Sequence, residues 1–358
     1  MQYVSWIMAI FAVIGALDRI LGNRLGLGKE FERGLGMLGT LALSMIGMIV
    51  ISPLIAKYLS PVLDILTRIV PIDPSIVSAS LFANDMGGAP LSEELAKNTA
   101  VGEFNALVVS SMMGATVSFT VPFALGTVKK EQHADLLIGL LCGIVTIPVG
   151  CFVSGLVANI PPIDLLINLC PLALFSALIA VGLIKFPKLC VKIFGILGVI
   201  IKILITAGLA IAIFQTLTGK SWIAPVESFE NAALIIVGIA AVMTGAFPLI
   251  AVLSRLLKRP LSVLGKKIGV NETSMMGFLS SLATSATTFD KMGEMDRRGV
   301  VLNSAFAVSA AFAFADHLAF TLSYRAEYLP AVLIGKLIAG ILAVLVAIPI
   351  YNRISKKQ

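Results

Sequence analysis

The sequence has little charge for its length. Only 13% of its 358 residues are Asp, Glu, Lys or Arg, against roughly 25% in soluble domains. Apolar residues reach 58%, so a soluble fold would lack the polar surface needed to cover its own core. The shortage of charge excludes an ordinary soluble protein. It predicts an all-α polytopic membrane protein, in which lipid solvates the apolar excess.

Histidine and cysteine, the residues behind most metal sites, are also scarce. The two histidines, His133 and His317, are far apart and form no His-Glu-x-x-His motif. The four cysteines form no Cys-x-x-Cys pair and no metal-ligand spacing. The sequence also contains no phosphate-binding glycine loop and no paired catalytic carboxylates. We therefore expect no enzymatic activity, no catalytic residues, no metal, no cofactor and no ATP-driven step by this chain alone.

The net charge of +7 does not indicate a nucleic-acid partner. The basic residues occur in short clusters between apolar segments, not along one polar face. We expect membrane lipid as the surrounding partner and no nucleic acid, and the sequence leaves a homo-oligomer open.

Long apolar runs predict about nine transmembrane helices, because about 20 apolar residues span a bilayer. The first run has no basic start and no cleavage pattern of a signal peptide, so we expect it to be retained. The nine runs are Tyr3–Leu21, Gly34–Tyr58, Phe104–Val128, Leu136–Ala158, Leu165–Ile184, Val191–Thr216, Ala232–Leu256, Val300–Tyr324 and Leu329–Tyr351.

Two further segments, near 75–98 and near 273–294, begin apolar and then break up. They read SIVSASLFANDMGGAPLSEELAKN and TSMMGFLSSLATSATTFDKMGE. About eleven apolar or small residues precede each break, which is roughly half a membrane thickness. The pattern predicts two re-entrant hairpins, and a pair of amphipathic surface helices is the alternative.

The basic residues lie mostly on one side of the predicted spans. If the hairpins do not cross, the loops alternate sides after each span. One side holds Arg19, Arg24, Lys29, Arg33, Lys129, Lys130, Lys185, Lys188, Arg255, Lys258, Arg259, Lys266, Lys267, Arg297, Arg298 and the tail residues Arg353, Lys356 and Lys357. The other side holds Lys57, Arg68, Lys97, Lys220 and Arg325. The positive-inside rule then predicts an outside N-terminus and a cytoplasmic C-terminus.

The chain also repeats itself. The stretch FNALVVSSMMGATVSFTVPFAL around Asn105 resembles LNSAFAVSAAFAFADHLAFTL around Asn303, and LLIGLLCGIVTIPVG recurs as VLIGKLIAGILAVLVAIPI. Five crossings separate matching spans, so the two halves face opposite ways. We expect an inverted repeat: residues 1–160 with four spans and the first hairpin, a linking span at 161–188, and residues 189–358 with four spans and the second hairpin.

Polar residues deep in apolar segments are the candidate substrate-binding residues, because each costs a few kcal/mol there. Asn84 and Asp85 lie at the break of the first hairpin, and they either contact a solute or cap a helix. Asp316 and His317 lie within AFAVSAAFAFADHLAF, where they either bind a cation or hold spans together. Hydroxyl and amide side chains complete the candidate set: Ser111, Thr116, Ser118, Thr284, Ser285 and Asn303.

Several of these stretches resemble a known family. NDMGG, SSMMGATVSF, VPFALG, LLCGIVTIPVGC and AFAVSAAFAFADHLAF followed by GKLIAG are similar to the bacterial ethanolamine-utilisation permeases, and so is the Leu-Asp-Arg-Ile end of the first span. The resemblance implies an ethanolamine permease of the bacterial inner membrane. The chain departs from the family pattern at residues 284–288, where an Asn-Asn-Ile-Pro type stretch is expected, at Ala315, where Gly is expected, and in shorter central spans.

The function we predict is movement of ethanolamine or a similar small amino alcohol by alternating access. A carboxylate such as Asp85 or Asp316 would pair the ammonium group, and a Ser or Thr hydroxyl would bind the alcohol. Two alternatives stay open at this point. One is a sodium-translocating membrane subunit of an enzyme complex, and the other is a sodium-coupled symporter for another small polar solute.

Overall fold

A computed structural model describes residues 2–70, 72–221 and 223–356, and all regular structure in these ranges is helical. The α-helices are α1 Gln2–Ile20, α2 Leu27–Gly36, α3 Leu38–Ile69, α4 Ser75–Leu81, α5 Gly88–Leu95, α6 Thr99–Phe104, α7 Val121–Thr127, α8 His133–Val157, α9 Pro162–Lys185, α10 Pro187–Thr218, α11 Phe229–Ile268, α12 Glu272–Ala283, α13 Ser285–Asp290, α14 Arg297–Ala310, α15 Asp316–Tyr324 and α16 Leu329–Ser355.

Eight stretches of the described chain are long and apolar enough to cross a membrane. Each coincides with one of the predicted spans, so the expectation of a polytopic helical membrane protein is confirmed. They are Gln2–Ile20, Leu27–Ile65, Thr99–Thr127, Lys130–Val157, Pro162–Lys185, Pro187–Thr218, Phe229–Ile268 and Ala326–Ser355.

The remaining predicted span, Val300–Tyr324, is broken into α14 and α15 by turns at residues 311–315. Phe312 has a φ of 64°, a left-handed conformation that ends a helix. Its N–H donates to Ser281 O (3.0 Å), and Phe314 N–H donates to Leu282 O (2.9 Å). These bonds to α12 replace helical ones, which is why the break is satisfied although it lies in an apolar run.

The predicted span that runs from α6 to α7 is one continuous helix, but its middle is wound as a π-helix, which is wider than an α-helix. Residues Asn105–Gly114 and Thr116–Thr120 form π-helical turns, which sequence periodicity did not predict. Nearly all side chains of these turns are buried. Thr116 Oγ1 donates both to Met112 O of its own segment (2.6 Å) and to Val308 O of α14 (3.1 Å). The π-turns thus lie at the centre of the helical packing, and such turns are frequent at functional sites.

Each predicted hairpin segment consists of two short helices that lie side by side. α4 and α5 are joined by a single turn at Asn84–Met86, and Ser78 Oγ lies 2.8 Å from Ser92 Oγ across the pair. α12 and α13 meet at Thr284, and Ser281 Oγ lies 2.9 Å from Thr288 Oγ1 across that pair. The chain therefore reverses direction at both breaks.

The first helix pair is held tightly against the π-helical span. A Cβ atom added at Gly114 would collide with the backbone oxygens of Phe82 and Ala79, so only glycine allows this approach. Ala83 N–H donates to Ser118 Oγ (3.2 Å) of the same span. These contacts fix the position of the break in the first pair relative to the π-helical span.

Candidate functional site

The turn of the first helix pair presents polar side chains inside the protein. Phe82 and Ala83 are extended, and Gly87 has a φ of 93°, a left-handed conformation that favours glycine. The intervening turn exposes about a quarter of the Asp85 side chain, while Asn84 is fully buried. The Asp85 carboxylate is therefore accessible at a place where the backbone is interrupted.

The break between α14 and α15 brings a second pair of polar residues to the same place. Asp316 and His317 form the first turn of α15, and His317 N–H donates to Phe312 O (3.2 Å) across the break. His317 Nε2 lies 3.9 Å from Asp85 Oδ1, and Asp316 lies close enough to Asp85 to interact with it electrostatically. The two sequence-predicted polar pairs thus meet between the first hairpin and α15.

A fourth ionisable group completes this cluster. Lys336 of α16 is 1% exposed, and its Nζ donates to Ser111 O at 2.6 Å. It interacts electrostatically with both Asp85 and His317. Two carboxylates, one imidazole and one ammonium group therefore share a largely buried site, which we call the charge cluster: Asp85, Asp316, His317 and Lys336.

Hydrogen-bonding capacity is left unused beside the charge cluster. The side-chain Oδ1 and Nδ2 of buried Asn84 have no partner within the described part of the chain, and neither does His317 Nδ1. Buried polar atoms are nearly always paired in proteins, so unpaired ones are informative. Together they offer a donor and an acceptor next to two carboxylates, a combination suited to a small solute that carries an amine and a hydroxyl.

Most of the other predicted site residues are engaged in holding the bundle together. Ser111 Oγ donates to Val108 O (3.0 Å), and Ser118 Oγ donates to Gly114 O (2.7 Å) and accepts from Ala83 N–H. Asn303 Nδ2 donates to Ser274 O at 2.8 Å and to Gly299 O at 3.0 Å. Thr116 bridges to α14, as described above. Their hydroxyl and amide donors are thus already used within the protein.

The tip of the second helix pair carries the remaining two predicted residues. Thr284 Oγ1 accepts from Ala286 N–H (3.4 Å) at the start of α13, and Ser285 is buried with its Oγ unpaired in the described residues. A cavity of about 260 Å³ opens beside this pair, and its lining includes Ser280, Thr287 and Lys291. The second pair therefore has a polar cleft between its arms, and neither Thr284 nor Ser285 is part of the lining.

A separate cavity of about 610 Å³ lies between α4 and α9. Apart from Ser80 it is lined by apolar residues and the thiol of Cys170. Such a lining offers no countercharge to a cation.

The acidic residues Glu93 and Glu103 are paired with side chains at the end of α15. Tyr324 Oη donates to Glu93 Oε2 at 2.8 Å, and Arg325 Nε lies 3.3 Å from Glu93 and 3.6 Å from Glu103. These contacts join α5 to the end of α15. They hold α5, which follows the Asp85 turn, against α15, which begins with Asp316 and His317. The contacts lie at the ends of these helices that are distant from Asp85 and His317.

The chain matches the family described as "Ethanolamine utilisation protein, EutH" over residues 1–350. The chain belongs to the EutH family. A relative from Listeria monocytogenes serotype 1/2a, named "Probable ethanolamine permease EutH", is 42% identical over 100% of this chain and 96% of its own length. A Salmonella typhimurium protein of the same name is 35% identical over 97% of this chain and 94% of its own. A Bacillus subtilis relative named "Uncharacterized protein YxeR" is 37% identical over 95% and 92%.

No solved structure matches the chain. Membership in the EutH family, together with the eight apolar helices, makes this a multi-pass membrane protein. The family resemblance noted from NDMGG and AFADHLAF is thereby confirmed.

Two charged residues near the polar residues of this region, Lys336 and Arg325, are not among the candidates that the sequence predicts. Nothing in the sequence relates Lys336 to Asp85, 251 positions earlier by residue number. Arg325 was counted only among the loop charges. The available signal was that a lysine about eight residues inside an apolar helix cannot reach water by extending its side chain.

Proposed function

We propose that this EutH-family chain is a transporter, not an enzyme, and moves ethanolamine or a similar small amino alcohol across the bacterial inner membrane. The observation that carries the proposal is similarity over nearly the full length to relatives named ethanolamine permease. The charge cluster supports it independently, because buried carboxylates inside a membrane protein mark substrate and ion pathways.

The recognition we propose follows the chemistry of the solute. Ethanolamine carries an ammonium group and one hydroxyl. Asp85 and Asp316 would pair the ammonium group, and the unpaired amide of Asn84 would bind the hydroxyl. His317 Nδ1, which also lacks a partner in the described residues, would supply a further hydrogen bond. In this proposal Ser111, Thr116, Ser118 and Asn303 shape the site through backbone contacts. Thr284 and Ser285 would contact the solute at the turn of the second hairpin, where the buried Ser285 Oγ has no partner within the described residues.

The balance of charge favours a cationic solute over a carboxylate. Lys336 alone would suit an anion, but it already donates to Ser111 O and interacts with the Asp85 carboxylate. The arrangement therefore supports an amine more than a nucleoside or carboxylate symporter. Ion translocation as part of an enzyme complex is tested by the uptake experiment below.

The architecture we propose is the inverted repeat, with 1–160 and 189–358 as its halves and 161–188 between them. Matching contacts support it. The serine pair of the first hairpin corresponds to the Ser281–Thr288 pair of the second. Asn105 Nδ2 donates to Ser75 Oγ (2.8 Å) at the base of the first hairpin, as Asn303 Nδ2 donates to Ser274 O at the base of the second.

The mechanism we propose is alternating access, with the N-terminus outside and the C-terminus in the cytoplasm. The two hairpins, the π-helical span α6–α7 and the interrupted span α14–α15 would move as a unit past the remaining helices. The contacts between each hairpin and the span next to it support this grouping. Inverted repeats with interrupted helices at the substrate site are common in secondary transporters.

The decisive experiment is uptake of labelled ethanolamine into proteoliposomes containing the purified protein. We expect saturable uptake by the wild type and its loss in Asp316→Asn, because the substitution removes a carboxylate from the charge cluster. Asp164→Asn is the matched control, since Asp164 is exposed at the start of α9. If the wild type shows no uptake on either side of neutral pH, ethanolamine transport is wrong and ion translocation becomes the leading function.

Alternating access is tested by a disulfide between a moving and a static element. A Cβ atom added at Gly238 of α11 would lie 3.3 Å from Ser323 Cβ of α15, close to the disulfide spacing of about 3.5–4.5 Å. We expect oxidation of Gly238→Cys/Ser323→Cys to stop transport and reduction to restore it. Ser78→Cys/Ser92→Cys, which links the arms of one hairpin, should leave transport intact. Full flux with the first disulfide formed would contradict the mechanism.

A further inference from the structure

We propose that Lys336 is a built-in counter-cation, standing where an ion-coupled transporter would bind Na⁺, so that the site takes one organic ammonium ion and no coupling cation. The inference rests on the proposed function and adds the number of coupling cations that bind with each solute molecule, which is zero.

The position of Lys336 fits this role. Its side chain is 1% exposed, and Nζ is fixed by a 2.6 Å hydrogen bond to Ser111 O in the π-helical span. It cannot extend to water as lysines near helix ends do. A buried ammonium group persists only with nearby negative charge and hydrogen-bond acceptors. Asp85 supplies the charge, and the Ser111 carbonyl supplies one acceptor.

The charges around it determine how many cations the site accepts. In the state in which Asp85, Asp316 and Lys336 are all ionised and His317 is neutral, the charge cluster carries two negative charges and one positive charge. Arg33 also interacts with Asp316, but its side chain is half exposed and paired with Glu30 at 3.4 Å, so water and Glu30 screen it. One negative charge therefore remains uncompensated, and a single ammonium ion neutralises it.

Removal of the lysine charge should convert the site into one that needs a second cation. In Lys336→Gln, two carboxylates face one substrate ammonium, and a Na⁺ ion becomes the available compensation. We expect uptake by Lys336→Gln to be roughly a hundredfold lower in N-methyl-D-glucamine chloride than in NaCl, as for a buried charge that has lost its partner. Wild-type uptake should be equal in the two salts.

The matched variants are Lys202→Gln, which removes an exposed lysine from the apolar helix α10, and Lys336→Arg, which keeps the buried charge. Both should remain independent of Na⁺. A wild type or Lys336→Arg that requires Na⁺ overturns the proposal. So does a Lys336→Gln whose uptake is the same in both salts.

A second measurement separates this inference from ethanolamine transport itself. The melting temperature of the purified protein is recorded without ethanolamine, while NaCl replaces N-methyl-D-glucamine chloride at constant ionic strength. Na⁺ should stabilise Lys336→Gln and leave the wild type unchanged. If Lys336→Gln cannot be purified in either salt, the melting temperature of the wild type is the test. A wild type that melts at a higher temperature in NaCl refutes the built-in cation. A protein that fails to transport ethanolamine but passes this test refutes only the proposed substrate.

Discussion

Replacing Asp85 by Asn tests the charge cluster most directly. The substitution keeps the size of the side chain and removes its charge, 3.9 Å from His317 Nε2 and within electrostatic reach of Lys336. A hydrogen bond to a charged group contributes about 2 kcal/mol, which corresponds to roughly a thirtyfold loss in the ratio kcat/KM for uptake. Lys336 also loses its countercharge, and an unpaired buried charge costs about 3 kcal/mol of folding stability.

The two effects can be separated by the double variant Asp85→Asn/Lys336→Gln. It removes both charges, so the melting temperature should recover part of what Asp85→Asn loses, while uptake stays low. Uptake of labelled ethanolamine and thermal melting are measured on the same preparations. Asp164→Asn again serves as the exposed-carboxylate control. Uptake by Asp85→Asn within twofold of the wild type, with an unchanged melting temperature, would refute the assignment of Asp85 to the site.

Two further outcomes are expected. Asn84→Leu should abolish ethanolamine uptake. The variant should be as stable as the wild type or more stable by about 1 kcal/mol, because an unpaired buried amide is replaced by an apolar group. A loss of stability without a transport defect would show that Asn84 is structural. Gly114→Ala should lower the free energy of unfolding by about 1–3 kcal/mol, because its Cβ would meet the Phe82 carbonyl. Gly126→Ala, which has open space around it, is the control, and melting curves that match for the two variants would contradict the packing argument.

The polar residues of the site were identifiable from the sequence to different degrees. Asn84, Asp85, Asp316 and His317 could be singled out because each interrupts an apolar run, where a polar group needs a reason to be present. The hydroxyl residues could not be sorted in the same way. Ser118 and Thr116 are candidate substrate-binding residues by sequence, and in the structure contacts with Ala83 and Val308 engage them.

By itself the sequence determined that this is a helical, multi-pass membrane protein of the EutH family, because hydropathy and motif spacing are local properties of the chain. It also located both helix reversals, since runs of half a membrane thickness end at Asn84 and Thr284. Only the tertiary structure decided that the run Val300–Tyr324 breaks at Phe312, because the replacement hydrogen bonds come from α12. Likewise, only the tertiary structure brought Lys336 to Ser111 and Asp85: electrostatic and hydrogen-bond partners distant in sequence are set by helix packing, which local pattern does not encode.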